Sequence, residues 1–246
     1  MRVIGVIPAR YHSTRLEGKP LKDINGKPMV QWVYEGVIKS KILDDVIVAT
    51  DDERIIDIVK SFNGKAVMTS KEHASGTDRV AEVAESIDAD IIVNIQGDEP
   101  FVNPGMIDEV AKPLIDDPEI MMGTLMHPIK NEADYDNPNV VKVVCDKSGF
   151  ALYFSRSLIP YPRHREGFVA YEHIGIYSYR KDFLLMLRNL EQTYLEKIES
   201  LEQLRVLENG YKIKVVETKQ EYIPLSVDTA EDLEKARIFA KSLKER

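Results

Sequence analysis

Residues 45–62 read DVIVATDDERIIDIVKSF, and this stretch changes its hydrophobic period halfway along. Asp45–Thr50 is a short β-branched run, which is typical of a buried strand. Ile55, Val59 and Phe62 then recur at helical spacing, so the residues after the strand predict an amphipathic helix. A strand that leads directly into such a helix is the repeating unit of a parallel sheet covered by helices.

The same alternation continues on both sides of this unit. Further strands are predicted at Arg2–Pro8, Lys65–Met68 and Asp90–Ile95. Further helices are predicted around Val80–Ile87, from Pro104 to about Asp116, and at Thr229–Leu243. The pattern therefore predicts an α/β fold with a Rossmann-like, mostly parallel sheet flanked by helices.

Extended runs dominate between about residues 121 and 180. They are Met121–Met126, Val140–Cys145, Ala151–Ser155 and Glu172–Tyr179, with a hairpin turn predicted at Asp146–Gly149. After them we predict helices at Lys181–Leu190 and Ser200–Asn209 and a strand at Lys212–Glu217. Because no Gly/Ser linker separates this β-rich run from its surroundings, we expect a single domain, 1–246, with an insertion at about 121–180.

The composition is that of an ordinary folded protein, with 43% hydrophobic and 30% charged residues among 246. The 33 Lys and Arg residues and the 41 Asp and Glu residues give a net charge of −8, which argues against nucleic acid and anionic membranes as partners. The single cysteine, Cys145, cannot form an internal disulfide, which fits a reducing cytoplasm. No targeting or membrane segment is visible.

A basic loop, residues 10–22, follows the first predicted strand. Its fixed cations outnumber its one acid, Glu17; they are Arg10, Arg15, Lys19 and Lys22. Loops at the carboxyl ends of parallel strands are where ligands bind in such folds. Arginine can bind two phosphate oxygens at once, lysine supplies a mobile charge, and Ser13 and Gly18 allow close backbone approach. The loop therefore suits a triphosphate.

A solvated basic loop would show the same spacing, so on the residues alone both interpretations of the loop stay open. The stretch contains neither a phosphate-binding loop ending in Gly-Lys-Ser/Thr nor a Gly-x-Gly-x-x-Gly pattern. Those absences argue against an ATPase of the usual kind and against a dinucleotide-dependent dehydrogenase.

An acidic turn, Gln96–Pro100, follows the predicted strand that ends at Ile95. The carboxylate of Asp98 could hold Mg²⁺ against triphosphate oxygens, because this cation prefers oxygen ligands. A second carboxylate, Asp228, is the candidate partner in the Val-Asp-Thr-Ala-Glu-Asp stretch. Each aspartate has an alternative role: Asp98 could cap a turn, and Asp228 or Thr229 could cap the following helix.

Six stretches of the chain resemble the sugar-acid cytidylyltransferases, most closely the branch that acts on 3-deoxy-manno-octulosonate. In chain order they are Ile7–Leu21, Ser75–Arg79, Gln96–Pro100 with the preceding Asn94 and Ile95, Tyr153–Arg156, His173–Tyr177 and Val227–Leu233. They extend over nearly the whole chain. Glu17 departs from the pattern, since a small residue or proline is expected before Gly18.

The resemblance implies an enzyme that uses CTP and Mg²⁺ to activate 3-deoxy-manno-octulosonate for lipopolysaccharide biosynthesis. The residues that it implies for catalysis are Arg10, Lys19, Asp98 and Asp228, and those for Mg²⁺ are Asp98 and Asp228. The residues that it implies for the nucleotide are Arg10, Ser13, Arg15, Lys19, Ser75, Gly76, Arg79, Gln96 and Asp98. The residues that it implies for the sugar acid are Gln96, Arg156, His173, Tyr177, Glu202 and Gln203.

Each of these assignments has a structural alternative. Ser75–Arg79 also fits an ordinary helix start capped by Thr77 with Asp78, a strand histidine is commonly structural, and Glu202 could be an exposed helix acid. The main rival function is transfer to a nine-carbon sialic-type acid, and a non-catalytic nucleotide sensor is a rival of another class. We also expect a symmetric homodimer formed through the β-rich insertion, whose hairpin could present apolar and edge-strand surface.

Overall fold

The computed structural model describes residues 1–13, 15–73 and 75–244. Thr14, part of the basic loop, lies outside these residues. The chain forms two compact units: the first contains residues 1–108 and 220–246, and the second contains residues 109–219. No helix in the described part of the chain has both the length and the apolar character needed to cross a bilayer.

Strands and helices alternate through the first half of the chain. The strands are β1 (Val3–Pro8), β2 (Asp23–Ile24), β3 (Lys27–Pro28), β4 (Asp45–Thr50), β5 (Lys65–Met68), β6 (Ile91–Asn94), β7 (Met122–Pro128), β8 (Lys142–Cys145), β9 (Ala151–Ser155), β10 (Tyr171–Arg180) and β11 (Lys214–Glu217). The helices are α1 (Met29–Val37), α2 (Glu53–Ser61), α3 (Gly76–Ser86), α4 (Pro104–Asp116), α5 (Lys181–Leu187), α6 (Tyr194–Glu199), α7 (Gln203–Glu208) and α8 (Ala230–Lys244). Short 3-10 turns cover Lys19–Leu21 and Glu132–Asp134.

The first unit contains a parallel sheet in the order β6-β1-β4-β5. Its central strands are buried on both faces, which explains their continuous β-branched runs. Helices α2 and α3 connect successive strands and bury the apolar faces that the sequence predicts, including Ile55, Val59, Val80 and Val83. Because the strands are parallel, their carboxyl ends lie along the same edge of the sheet.

The second unit is rich in strands. Its sheet runs β11-β7-β10-β8-β9, with β11 parallel to β7 and the remaining neighbours antiparallel. The β8–β9 hairpin turns at Asp146–Gly149, as predicted, and Gly149 has a positive φ of 75° there. With the parallel sheet of the first unit, this arrangement confirms the predicted α/β fold with mostly parallel strands and a β-rich segment.

Two helices were absent from the sequence prediction. Helix α1 follows the short β2–β3 hairpin, and its valine, tryptophan, tyrosine and glycine residues are weak helix formers. Helix α6 has only six residues, too few to show a helical period. The helix predicted at Ser200–Asn209 is shorter and covers Gln203–Glu208.

An apolar cluster in the first unit holds α8 in place. It is built from Ile24, Met29, Val227, Leu233, Ala236 and Ala240, with Leu16, Trp32, Phe101 and Leu225 packed against it. Leu16 belongs to the basic loop, and Val227 directly precedes Asp228. The cluster therefore fixes two segments that are more than 200 residues apart in the sequence.

Candidate functional site

A cavity of about 530 Å³ opens in the first unit at the carboxyl ends of β1 and β6. Its size is in the usual range of small-molecule sites. Its lining residues are Pro8, Ala9, Arg10, Ser13, Arg15, Lys19, Pro20, His73, Ser75, Gly76, Arg79, Gln96, Gly97, Asp98 and Asp228. All the residues that sequence reasoning assigned to the nucleotide and to Mg²⁺ are among them.

The two candidate metal ligands lie side by side. The backbone N–H of Val227 donates to the carbonyl oxygen of Asp98 at 2.9 Å, which aligns the two segments. The ammonium of Lys19 then bridges the carboxylates, 2.8 Å from Asp98 Oδ2 and 3.0 Å from Asp228 Oδ1. Arg15 approaches the other oxygen of Asp228 at 3.1 Å. The fold thus brings together two aspartates that are 130 positions apart in the sequence. Their spacing in the sequence could not predict this proximity.

At the start of α8, the carboxylate of Asp228 is not used to cap the helix. The hydroxyl of Thr229 accepts the backbone N–H of Asp232 at 3.2 Å, and the carboxylate of Asp232 accepts the N–H of Thr229 at 3.1 Å. Burial alone would raise the pKa of Asp232, but these hydrogen bonds outweigh it and hold that pKa below its usual value. Thr229 and Asp232 therefore cap the helix together, and the carboxylate of Asp232 is part of this cap.

The donor set fits Mg²⁺. Within the described residues, no group of three or more His, Cys, Asp or Glu side chains could hold a metal ion. Mg²⁺ does not need such a group, because it commonly binds through one or two carboxylates together with substrate phosphates and water. Asp98 and Asp228 already share one cation, the ammonium of Lys19. They supply the hard oxygen ligands that this ion requires.

The start of α3 forms another part of the cavity. Ser75 caps the helix: its hydroxyl accepts the N–H of Asp78, and the Asp78 carboxylate accepts the N–H of Ser75, both at 3.1 Å. The cap is therefore Ser75 and not Thr77, the residue named in the alternative interpretation of this stretch. The first N–H groups of a helix have no partner within that helix, so Gly76 and Thr77 present donors of the kind that a base acceptor edge could use.

Arg79 lies almost completely buried, with its residue only 3% exposed. Its guanidinium donates to the hydroxyl of Thr69 and, at 3.0 Å, to Oδ2 of Asp51. Although Arg79 lines the cavity, two of its nitrogens are thus already engaged by protein oxygens. This geometry gives Arg79 a structural part in addition to the base contact predicted from the resemblance.

Asp51 is a residue that the sequence analysis did not single out. Besides Arg79, it accepts the backbone N–H of Tyr11 at 3.1 Å. Asp51 therefore ties the basic loop to α3, on two sides of the same cavity. Its position directly after β4, at the sheet edge where ligands bind, was the signal that could have identified it.

The basic loop is further held through Tyr11. The guanidinium of Arg54 lies over the Tyr11 ring at 3.5 Å from its centroid, a cation–π contact. The N–H of Gly18 donates to the carbonyl of Tyr11 at 3.0 Å. Gly18 adopts a φ of 64°, a left-handed conformation that favours glycine. Tyr11 and Gly18, on either side of the residue that the structure does not describe, are thus held by specific protein contacts.

Gly97 allows the acidic turn to approach β1. A Cβ atom at this position would lie 2.4 Å from the carbonyl oxygen of Pro8, which is backbone and cannot rotate away. The close approach places Asp98 beside the loop that follows β1. Gln96, predicted for both substrates, lines the cavity as well.

Three of the predicted sugar-acid residues of the second unit, His173, Tyr177 and Glu202, lie close to one another. The His173 ring lies 5.1 Å from that of Phe154 and 5.3 Å from that of Tyr177, and both His173 and Tyr177 remain partly accessible. Desolvation by the surrounding protein lowers the pKa of His173 to about 3. Desolvation, and then the charge of Glu202, raise the pKa of Tyr177 above its usual value. Glu202 therefore lies close enough to act on Tyr177.

Of the other two predicted residues, Gln203 is buried and Arg156 is held by hydrogen bonds. Gln203 is buried in the first turn of α7. The guanidinium of Arg156 donates to the backbone carbonyls of Glu199 at 2.6 Å, Pro138 at 2.8 Å and Ser200 at 3.3 Å. Arg156 thus anchors the segment that leads to Glu202, and much of its donor capacity is used in doing so.

The lowered pKa of His173 predicts a pH dependence of stability. In the unfolded chain this side chain takes up a proton near pH 6.5, whereas in the native protein it resists protonation down to about pH 3. The contribution of His173 to the free energy of unfolding is therefore fully present above pH 6.5 and is lost as the pH falls below it, by up to about 1.4 kcal/mol per pH unit. Denaturant titrations at several pH values between 7 and 5 give the free energy of unfolding as a function of pH. This free energy should depend less steeply on pH in His173→Gln than in the wild type. Equal slopes would contradict this prediction.

Comparison with known proteins gives consistent matches over nearly the whole chain. The cytidylyltransferase family model matches residues 4–213. The 3-deoxy-manno-octulosonate cytidylyltransferase of Geotalea uraniireducens (strain Rf4) is 56% identical, covering 96% of this chain and 97% of its own. That of Fusobacterium nucleatum subsp. nucleatum is 53% identical, covering 98% of each chain.

A solved structure agrees as well. A CMP:2-keto-3-deoxy-manno-octonic acid synthetase complexed with CTP is 44% identical to this chain and superposes on it with a TM-score of 0.95. The match covers 99% of this chain and 100% of the other. The fold, the family model and the similarity to these relatives lead to one conclusion: the chain belongs to the cytidylyltransferase family, among the 3-deoxy-manno-octulosonate cytidylyltransferases.

Proposed function

We propose that this protein transfers the cytidylyl group of CTP to 3-deoxy-manno-octulosonate, giving the CMP-sugar acid and pyrophosphate. The anomeric hydroxyl of the sugar acid forms a bond to the α-phosphorus, the bond from that phosphorus to the pyrophosphate oxygen breaks, and the hydroxyl proton is released. The observation that carries this proposal is the cavity of the first unit, where arginine and lysine side chains surround two adjacent carboxylates.

The chain contributes charge and position to this reaction. Arg10, Arg15 and Lys19 line the cavity and are placed to neutralise the triphosphate and the leaving pyrophosphate. Ser13 and the helix start at Ser75 and Gly76 complete the proposed nucleotide contacts. No covalent enzyme intermediate is needed, and the pKa of Cys145, raised to about 11 chiefly by burial, makes this thiol a poor nucleophile.

Mg²⁺ is part of the proposal, with Asp98 and Asp228 as its protein ligands. When bound there with phosphate oxygens, it would neutralise charge and favour loss of the proton from the attacking hydroxyl. The sugar acid is assigned to His173, Tyr177, Glu202 and Gln203, with Gln96 and Arg156 as the further predicted contacts. Use of the product in lipopolysaccharide biosynthesis belongs to the same proposal.

The test is pyrophosphate release from CTP by the full chain. We expect release that requires both Mg²⁺ and 3-deoxy-manno-octulosonate, and weak release with a nine-carbon sialic-type acid. Preference for the sialic-type acid would assign the protein to the rival substrate. CTP binding without release, for any ulosonic acid tested, would favour the nucleotide sensor.

We also propose that the protein is a cytoplasmic homodimer. The second unit exposes several large apolar side chains that a second copy could cover: Leu152, Tyr161, Val169, Tyr194 and Ile198. Leu152 lies on β9, which pairs with β8 in the described structure. Light scattering should give the mass of a dimer at assay concentration, and a monomer would refute the dimer.

A further inference from the structure

Thr124 is a buried threonine of β7 whose hydroxyl meets three polar atoms of β10. Its Oγ1 lies 3.1 Å from the carbonyl oxygen of Ile174, 3.0 Å from that of Ile176 and 3.0 Å from Nε2 of His173. They converge because the β7–β10 register shifts between Ile174 and Tyr177. The irregularity turns two carbonyl groups toward one side chain.

The protons available at Thr124 favour one tautomer of His173 over the other. A hydroxyl has one proton to donate, and carbonyl oxygens can only accept. If the proton of Thr124 points to Ile174 or Ile176, that carbonyl and the histidine are both satisfied, because the same hydroxyl oxygen then accepts from Nε2. If the proton pointed to Nε2, the hydroxyl oxygen would face two carbonyl oxygens with no proton between them. The geometry therefore favours the first arrangement, in which Nε2 of His173 carries a hydrogen and donates it to Thr124.

The other ring nitrogen is left as an acceptor. The lowered pKa of His173 keeps the ring neutral near pH 7, so Nδ1 has a lone pair and no hydrogen. Among the described residues, Nδ1 has no hydrogen-bonding partner. The rings of Phe154 and Tyr177 pack against the imidazole and limit its rotation, while His173 keeps some solvent access.

We propose that Thr124 is a positioning residue that fixes His173 in the neutral Nε2–H form, so that Nδ1 accepts a hydrogen bond from a hydroxyl group of the sugar acid. This inference rests on the proposed function for the identity of the ligand. It also assigns a chemistry to His173: a lone pair repels a carboxylate and attracts an O–H donor. His173 therefore recognises the polyol part of the substrate, and the carboxylate must be bound by other groups.

The tautomer can be measured without any substrate. The ¹⁵N shifts of the His173 ring, identified by their loss in His173→Gln, should show a protonated Nε2 and an unprotonated Nδ1 in the wild type at pH 7. Thr124→Ser keeps the hydroxyl and should keep this pattern. Thr124→Val removes the acceptor at nearly constant volume and should move the ring toward the Nδ1–H form. A wild-type ring protonated at Nδ1, or a Thr124→Val ring unchanged from the wild type, would overturn the inference.

Steady-state kinetics then test the link to the sugar acid. In Thr124→Val, KM for 3-deoxy-manno-octulosonate should rise roughly tenfold, the loss expected for one hydrogen bond, with KM for CTP unchanged. Thr124→Ser should restore the wild-type KM. A changed tautomer with an unchanged sugar-acid KM would refute the role of Nδ1 as a substrate acceptor. Should the wild type release no pyrophosphate at all, the proposed function fails, and the NMR result still decides the role of Thr124.

Discussion

Asp98→Asn is expected to reduce turnover on the order of 1,000-fold while CTP still binds. The substitution keeps the shape of the side chain but removes one of the two carboxylates proposed to hold Mg²⁺. Metal stabilisation of a phosphoryl transition state is worth several kcal/mol, and each 1.36 kcal/mol changes the rate about tenfold. The binding contacts of Arg10, Arg15 and the start of α3 remain, so the loss should appear in kcat.

The matched control is Asp57→Asn, which makes the same charge change on the exposed side of α2. It should keep wild-type turnover. Pyrophosphate release at saturating CTP and Mg²⁺ gives kcat, and calorimetric titration with CTP gives the affinity. Undiminished turnover in Asp98→Asn would refute the metal assignment, whereas loss of CTP binding together with turnover would make Asp98 a binding residue.

Asp51→Asn should lower the free energy of unfolding by about 3 kcal/mol, the order of loss when one partner of a buried ion pair is removed. The side chains of Asp51 and Arg79 are only 9% and 4% exposed, so the variant leaves an unpaired guanidinium charge in the protein interior. The amide oxygen of asparagine can still accept the N–H of Tyr11. The loss therefore reports on the charge pair more than on the anchoring of the loop.

A double-mutant cycle separates these effects. Arg79→Met removes the guanidinium charge that Asp51→Asn leaves without a partner. The double variant should therefore be more stable than the sum of the two single losses implies. Asp116→Asn, in an exposed pair with Lys112, should change stability by no more than about 0.5 kcal/mol. Denaturant unfolding gives the stability of the wild type and of all four variants. Additive losses for Asp51 and Arg79 would show that the pair has no coupling.

The sequence predicted most of the first unit because its signals are local. The β-branched runs and the helical faces of α2 and α3 each lie within about ten residues, and burial on both faces preserves them. At the starts of α3 and α8, the sequence also narrowed the choice of capping residue to a few positions, which include Thr229 at the start of α8. The choice between neighbours, Ser75 over Thr77 and Thr229 over Asp228, depends on backbone angles that composition does not encode.

Contacts between distant segments were beyond the sequence. The bridging of Asp98 and Asp228 by Lys19 depends on the Val227–Asp98 hydrogen bond and on the packing of α8. Asp51 was missed because its one signal is its position directly after β4, and a single aspartate there has no distinctive pattern of residues around it. The Thr124 hydroxyl was missed because it gains its partners through an irregularity in the strand register. No residue type in the sequence indicates such an irregularity.

The discontinuous first unit also has a consequence for protein synthesis. Its cavity combines residues 1–108 with residues 220–246, so translation makes Lys19 and Asp98 well before Asp228. At roughly 5–20 residues per second, the intervening 130 residues take on the order of ten seconds to synthesise. During this time Leu16, Ile24 and Met29 lack the apolar residues of α8 that cover them. A nascent chain at this stage exposes apolar surface that α8 later covers, and the cavity becomes complete only after Asp228 and α8 have been made.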